Sequence, residues 1–170
     1  MRAGDPRPLT TAARAAAVIE AARAAGLSIA TAESLTGGAV SAALTAIPGA
    51  SDVMRGGVVA YLPAVKTAVL GVAEATLASA GVVSEATALE MARGARGALG
   101  ADVAVATTGA AGPESHDGAS PGTVCLAVAD AAGGESHTVR LTGERGAVTA
   151  AAVDAALDLL AARLAGSADR

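Results

Sequence analysis

The chain has no tryptophan and no phenylalanine, and one tyrosine, Tyr61, is its entire aromatic content over 170 residues. A core built on aromatic anchors is therefore excluded. So are the stacking platforms with which single-stranded nucleic acids are gripped. There is one cysteine, Cys125, so no internal disulfide can form, and no cysteine-rich metal spacing exists. The two histidines, His116 and His137, stand apart with no partner at ligand spacing, so no metal site is expected. Charge is scarce at 16% of residues with a net charge of −4. No basic tract offers a footprint for nucleic acid. No apolar run of roughly 18 residues is free of both breakers and charge, so no membrane span is expected. The first eight residues, Met-Arg-Ala-Gly-Asp-Pro-Arg-Pro, lack the continuous apolar stretch of a signal peptide. These absences together predict a cytoplasmic domain that meets neither membrane nor nucleic acid.

What remains is a small-residue hydrophobic chain. Residues of hydrophobic type make up 52%, and the length suits one domain with a real core of Ala, Val, Leu and Ile. Small side chains each bury little area, and burial yields only about 25 cal/mol per Å². Covering further apolar surface by self-association would add to this, so a homo-oligomer is expected, most simply a two-fold dimer.

Residues 1–9 read as a disordered tail and residues 10–166 as a single domain. Residues 10–25 predict a helix closed by Gly26. Residues 27–31 predict a buried strand, and 36–47 a helix stopped by Pro48-Gly49. Residues 54–61 read as a strand carrying the close-approach pair Gly56-Gly57. Pro63 suits the first position of a helix over 63–70, and a short helix is expected over 74–80. Ser84 suits the cap of a helix over 85–99. Strands are expected over 102–107, 123–130 and 136–141, with a polar, breaker-rich loop over 109–121. A long helix over 144–165 carries the stripe Val148, Ala152, Ala155 and Leu159. Strands separated by helices give a layered α/β domain. The terminal hairpin makes the sheet mixed, though mostly parallel, with about five or six strands.

Three places carry chemistry. The first is Thr31-Ala-Glu-Ser-Leu-Thr-Gly-Gly, where a strand end meets a helix start. Ligands gather at the carboxyl ends of strands in such sheets. Free N–H groups near Thr36 to Ala39 can take a phosphate or the oxyanion of an attacked carbonyl. Equally, Ser34 and Thr36 can simply cap the helix while Gly37 and Gly38 ease the turn; from the residues alone both readings stay open. The second place is Tyr61 with Lys66. Lys66 is the only lysine, and every other basic side chain is an arginine, which cannot give up its proton. It is either a base or a surface lysine beside a helix start. The third is Thr107-Thr108-Gly109 and the loop that follows, which is either a binding loop or an ordinary surface loop. Asp154 and Asp158 read as a solvated helix face, and Cys125 as core.

Thr31-Ala-Glu-Ser-Leu-Thr-Gly-Gly, Gly56-Gly-Val-Val-Ala-Tyr, Val83-Ser-Glu, Thr108-Gly-Ala-Ala-Gly-Pro and Gly122-Thr-Val follow one another in this order and spacing. Together they resemble the CinA C-terminal domain family, the competence/damage-inducible proteins, over roughly residues 10–165. Each motif is weak alone; five in order are specific. The resemblance implies a three-layer α/β/α sandwich. It also implies the activity of the stand-alone members, hydrolysis of nicotinamide mononucleotide to nicotinate mononucleotide and ammonia, without a metal or organic cofactor. It makes Ser34 the nucleophile with Tyr61 and Lys66 as activating partners. It places Thr108 in the site as well; from their own chemistry and position, Glu33, Thr36, Gly37, Gly38, Gly109 and Arg145 are the further candidate substrate-binding residues. The separate N-terminal domain of longer members, and the pyrophosphatase activity associated with it, are expected to be absent.

The chain departs from the family pattern at several points. Leu35 stands where Cys is usual, and Leu62-Pro63 where Ser-Asn is usual. Ala119-Ser-Pro-Gly-Thr-Val replaces Lys-Pro-Val-Gly-Thr-Val, and Gly143-Glu-Arg145 with Thr149 replaces Gly-Asp-Arg with a second Arg. Positive charge for a phosphate is thinner as a result. Two other functions suit the same residues: a nucleotide-binding module acting through a partner, and an amidase for another small amide.

Overall fold

The computed structural model describes residues 9–168. The expected tail lies outside them except for Leu9, which is exposed. Five strands form one sheet in the order β2-β1-β3-β4-β5. They are β1 (Ile29–Glu33), β2 (Met54–Val59), β3 (Val103–Ala110), β4 (Thr123–Asp130) and β5 (Gly133–Arg140). β1 lies parallel to both β2 and β3, while β3–β4 and β4–β5 are antiparallel. Four of the five strands thus point one way and β4 alone runs against them.

Among the described residues six α-helices cover the two faces: α1 (Thr11–Ala25), α2 (Ala39–Thr45), α3 (Pro63–Leu70), α4 (Glu74–Ala80), α5 (Glu85–Leu99) and α6 (Arg145–Ala168). Strand alternation separates two cores of different grain. Ile29, Val103, Val105, Val124, Leu126 and Val128 face α1, α2 and α6. Their neighbours Ala30, Ala32, Ala104, Ala106, Ala127 and Ala129 face α5 and α3. An alanine surface lets helices come close, and the helices repeat the device. A side chain at Gly94 of α5 would run into the carbonyl of Leu70 at the end of α3. The layers are α/β/α, as the resemblance implied.

Local signals hold where they are self-contained. Thr10 and Ser84 cap α1 and α5 through their side chains, Gly26 closes α1 in the left-handed region, and Pro63 opens α3. The differences come from tertiary contacts. β1 sits two residues later than expected, which carries it through Glu33. β3 continues to Ala110 because antiparallel pairing with β4 extends it, so Gly109 lies in a strand and not in the loop. The α6 stripe runs Val148, Ala152, Ala156, Leu160 and Leu164, with Ala155 and Leu159 only half-buried at its edge. Asp154 and Asp158 are not merely solvated: Arg14 of α1 pairs with both, and the Thr11 hydroxyl donates to Asp154.

Candidate active site

β1 is the pivot of the sheet, with β2 on one side and β3 on the other. From it the chain leaves to α2 on one face, and from β2 it leaves to α3 on the opposite face. Such a switch point opens a crevice at the carboxyl ends of the strands. Ser34 stands there, one residue past β1. Its N–H donates to the carbonyl of Thr107 at 2.9 Å, extending the β1–β3 ladder by one step.

Lys66 reaches Ser34 from α3. Its Nζ lies 2.9 Å from Ser34 Oγ, 2.6 Å from the Ala60 carbonyl oxygen and 3.4 Å from that of Tyr61. The lysine is 1% exposed and the serine 8%. Burial pulls the amine from 10.5 down to about 8. Two carbonyls take two N–H bonds, so a neutral amine turns its lone pair to the Ser34 hydroxyl. The surface-lysine reading is excluded by this geometry.

Tyr61 contributes differently from expectation. Its backbone carbonyl faces Lys66, but its side chain is 59% exposed. The hydroxyl hydrogen-bonds to neither Ser34 nor Lys66 among the described residues.

Glu33, expected to bind substrate, is fully buried. Oε2 accepts from the Thr36 hydroxyl (2.8 Å) and the N–H groups of Gly38 and Val40 (both 3.0 Å). Oε1 accepts from the N–H and hydroxyl of Ser41 (both 2.8 Å), and the Thr31 hydroxyl, 3.3 Å from Oε1, donates to the Ser41 hydroxyl. Among side chains Glu33, and neither the Ser34 nor the Thr36 hydroxyl, therefore satisfies the start of α2, whose cap position is Gly38. Thr36 is buried between Glu33 and the Thr107 hydroxyl. The Gly37 N–H donates to the Ser34 carbonyl. Of the donors between Ser34 and Ser41, the N–H groups of Leu35 and Thr36 have no protein acceptor among the described residues. Gly57 belongs to the same arrangement: a Cβ there would collide with the Ser41 and Thr31 hydroxyls.

A cavity of about 370 Å³ opens over Ser34. Leu35, Leu62, Pro63 and Ala110 give it an apolar wall, Gly109 forms part of its floor, and Glu114, His116 and Arg145 stand on its polar side. Gly109 must be glycine, because a Cβ would press on the Thr123 carbonyl and on Leu35. Arg145, exposed at the first turn of α6, has no carboxylate partner among the described residues. Thr108 does not reach the cavity; it is buried and donates to the Val82 carbonyl at 2.7 Å.

The 109–121 stretch has more structure than a loop reading allows. His116 and Ala119 exchange both backbone hydrogen bonds around Asp117 and Gly118, each at positive φ. This is the tight hairpin turn that an Asp-Gly pair signals. The Asp117 carboxylate then accepts from the Val82 N–H and ties the turn to the start of α5. His116 thus lines the cavity, a position its solitary place in the sequence did not reveal. Cys125 is buried in β4 as expected, and burial raises its thiol. Among the described residues no three His, Cys, Asp or Glu side chains are grouped to hold a metal ion, and no helix is long and apolar enough to cross a membrane.

The fold and the site define an α/β/α domain with a buried serine–lysine pair at the carboxyl ends of its parallel strands. The CinA C-terminal domain family model matches residues 11–164, and the chain belongs to that family. It is 45% identical over 138 residues to a CinA-like protein of Frankia casuarinae, covering 81% of this chain and 32% of that protein. A CinA-like protein of Shewanella sediminis is also 45% identical, over 84% of this chain and 34% of its own length. The chain therefore spans about a third of the length of these relatives. It covers whole solved chains, however. A CinA superfamily protein from Enterobacter cloacae superposes with a TM-score of 0.92 at 36% identity, over 96% of this chain and 98% of that one. One from Klebsiella pneumoniae gives 0.89 at 39% identity, over 93% and 99%.

Proposed function

We propose that the chain is a metal-independent amidohydrolase that converts nicotinamide mononucleotide to nicotinate mononucleotide and ammonia. The observation that carries this reading is the buried Lys66 amine, lowered to about 8 and 2.9 Å from Ser34 Oγ. A carboxamide is a poor electrophile and needs an activated nucleophile, an oxyanion site and a proton for the departing nitrogen.

Neutral Lys66 takes the proton from the Ser34 hydroxyl as Oγ attacks the carboxamide carbon. The oxygen that gains the negative charge is met by the N–H groups of Leu35 and Thr36, where the residues alone had pointed to Gly37 and Gly38. The Lys66 ammonium then gives its proton to the nitrogen, the C–N bond breaks, and ammonia leaves an ester on Ser34. Water enters, loses a proton to Lys66 and attacks the ester. The serine oxygen leaves, recovers that proton, and the carboxylic acid is released. Arg145 suits the phosphate. The apolar wall of Leu35, Leu62 and Pro63 suits a flat ring.

Ammonia release from the mononucleotide, read in a coupled assay, tests the proposal. That same apolar wall, where the family pattern has more polar residues, favours a second reading: an amidase for a less polar small amide. Release from other amides with none from the mononucleotide would select it. Tight binding without any ammonia would select a binding module.

A further inference from the structure

We infer that Glu33 is a positioning residue for Ser34, its buried carboxylate holding the 34–37 turn in the shape that aims the serine and the Leu35 and Thr36 N–H groups. The inference rests on the serine–lysine reading above and assigns a task to a buried charge that the mechanism does not otherwise use.

The turn has little rigidity of its own. Gly37 and Gly38 both lie in the left-handed region, at φ 61° and 99°, and consecutive glycines give up the most conformational freedom on ordering. Glu33 supplies the missing constraint. Its two oxygens divide the work. Oε2 holds the turn, through the Thr36 hydroxyl and the Gly38 and Val40 N–H groups. Oε1 holds the body of α2 to β1, through Ser41 and Thr31. The Thr36 hydroxyl donates to Glu33, so the Thr107 hydroxyl donates to Thr36 and ties the turn to β3 as well.

The arrangement suits a carboxylate better than an amide of the same size. Backbone N–H groups face both oxygens, and they can only donate. An amide at this position would turn its own NH₂ against at least one of them. By occupying the start of α2 with the protein's own anion, the chain also removes that helix end as a place for substrate phosphate. The substrate is left to Arg145 and the cavity.

The division between the two oxygens makes the inference testable. Thr36→Val removes a bond on the turn side, and Ser41→Ala removes one on the helix side. Both keep the carboxylate and both lose a hydroxyl that bonds it, Thr36→Val losing the Thr107 hydroxyl contact as well and Ser41→Ala the Thr31 hydroxyl contact. The readout is the rate at which a fluorophosphonate phosphonylates Ser34, with the melting temperature and mononucleotide binding followed in parallel. Both variants should melt lower by similar amounts and bind mononucleotide like the parent. Thr36→Val should label about tenfold more slowly or worse, since a 1 Å misplacement of reacting groups can cost about 100-fold; Ser41→Ala should label at the parent rate. Glu33→Gln should be slower than either.

Parent-like labelling of Thr36→Val would overturn the inference, and so would equal slowing of Ser41→Ala. A parent protein that is not labelled would overturn the nucleophile and the inference together. A parent that is labelled but releases no ammonia from the mononucleotide would overturn only the substrate assignment.

Discussion

Lys66 Nζ lies 2.9 Å from Ser34 Oγ across 32 residues of sequence, with the Ala60 carbonyl at 2.6 Å on its other side. The pair joins a turn after the pivot strand to the first turn of a helix on the opposite face. Among the described residues Ser34 is the one side chain that meets the buried amine; its other two partners are the backbone carbonyls of Ala60 and Tyr61.

Ser34→Ala should abolish ammonia release and leave the fold intact. Ser34 caps no helix, since Gly38 holds the cap position of α2 and Glu33 satisfies its donors. The loss of a cap, about 1 kcal/mol where one exists, does not apply. Unchanged circular dichroism with no turnover is the expected result; a rate near that of the parent would refute the covalent route.

Activity should rise with pH through about pH 8. The reactive form of Lys66 is neutral, and burial has brought its deprotonation down to about 8. At pH 7 roughly a tenth of the population is then competent. Stability should follow the same group. The unfolded lysine holds its proton up to about 10.5 and the folded one only to about 8. The unfolded state therefore binds more protons between these values, and unfolding free energy rises with pH across that window. Lys66→Arg keeps a charge that cannot be lost, and should fail as fully as Lys66→Ala. A rate-versus-pH profile and both variants in the ammonia assay check this; an active arginine variant would reassign the base.

Tyr61→Phe should turn over like the parent, because the hydroxyl touches neither member of the pair. Tyr61→Ala should raise KM by opening the rim of the cavity. A loss of kcat in Tyr61→Phe would restore the role that the family resemblance implies for the phenol.

Arg145→Ala should weaken mononucleotide binding with little effect on kcat, and should not affect an amide without a phosphate. Isothermal titration with mononucleotide and with nicotinamide riboside separates the two cases. Equal weakening for both ligands would remove the phosphate from Arg145.

One exposed apolar patch carries a prediction about assembly. Val59, Tyr61, Leu62 and Val69 are each at least 48% exposed. From Gly56 to Ala73 the only charged residue is Lys66, which is buried. We expect a two-fold dimer that covers the Val59 and Val69 side of this patch and leaves the cavity at Tyr61 and Leu62 open, and Val69→Glu to weaken it. Light scattering should give about twice 16.0 kDa for the parent; a mass of one chain at all working concentrations would disprove the dimer.

Much of the architecture was legible because its signals are local. Ser84, Gly26 and Pro63 act on backbone groups within four residues of themselves, so the ends of α1, α3 and α5 fall where composition puts them. β4 and β5 pair across two residues, so the hairpin needs no distant information, although Gly133 and Gly134, expected in the link, pair within β5, which ends at Arg140 and not at Leu141. The family motif likewise placed Ser34 and Lys66 as candidates. It could not say which neighbours of Ser34 face the substrate: Glu33, Thr36 and Thr108 carry polar atoms in the right stretch, yet all three spend them inside the protein. His116 shows the converse. An isolated histidine carries no pattern, and only a hairpin turn tied to α5 brings it to the cavity.

The sequence by itself determined the layered α/β class, the small-residue core and the uniqueness of Lys66, because alternation, capping and composition act over short spans. The tertiary structure decided the burial of that lysine beside Ser34 and the hydrogen-bond partners of Glu33. Burial lowers an amine and hydrogen bonds occupy a carboxylate only when distant segments close around them. Here β2, α3 and the turn after β1 surround Lys66, and α2, β1 and the 34–37 turn close on Glu33.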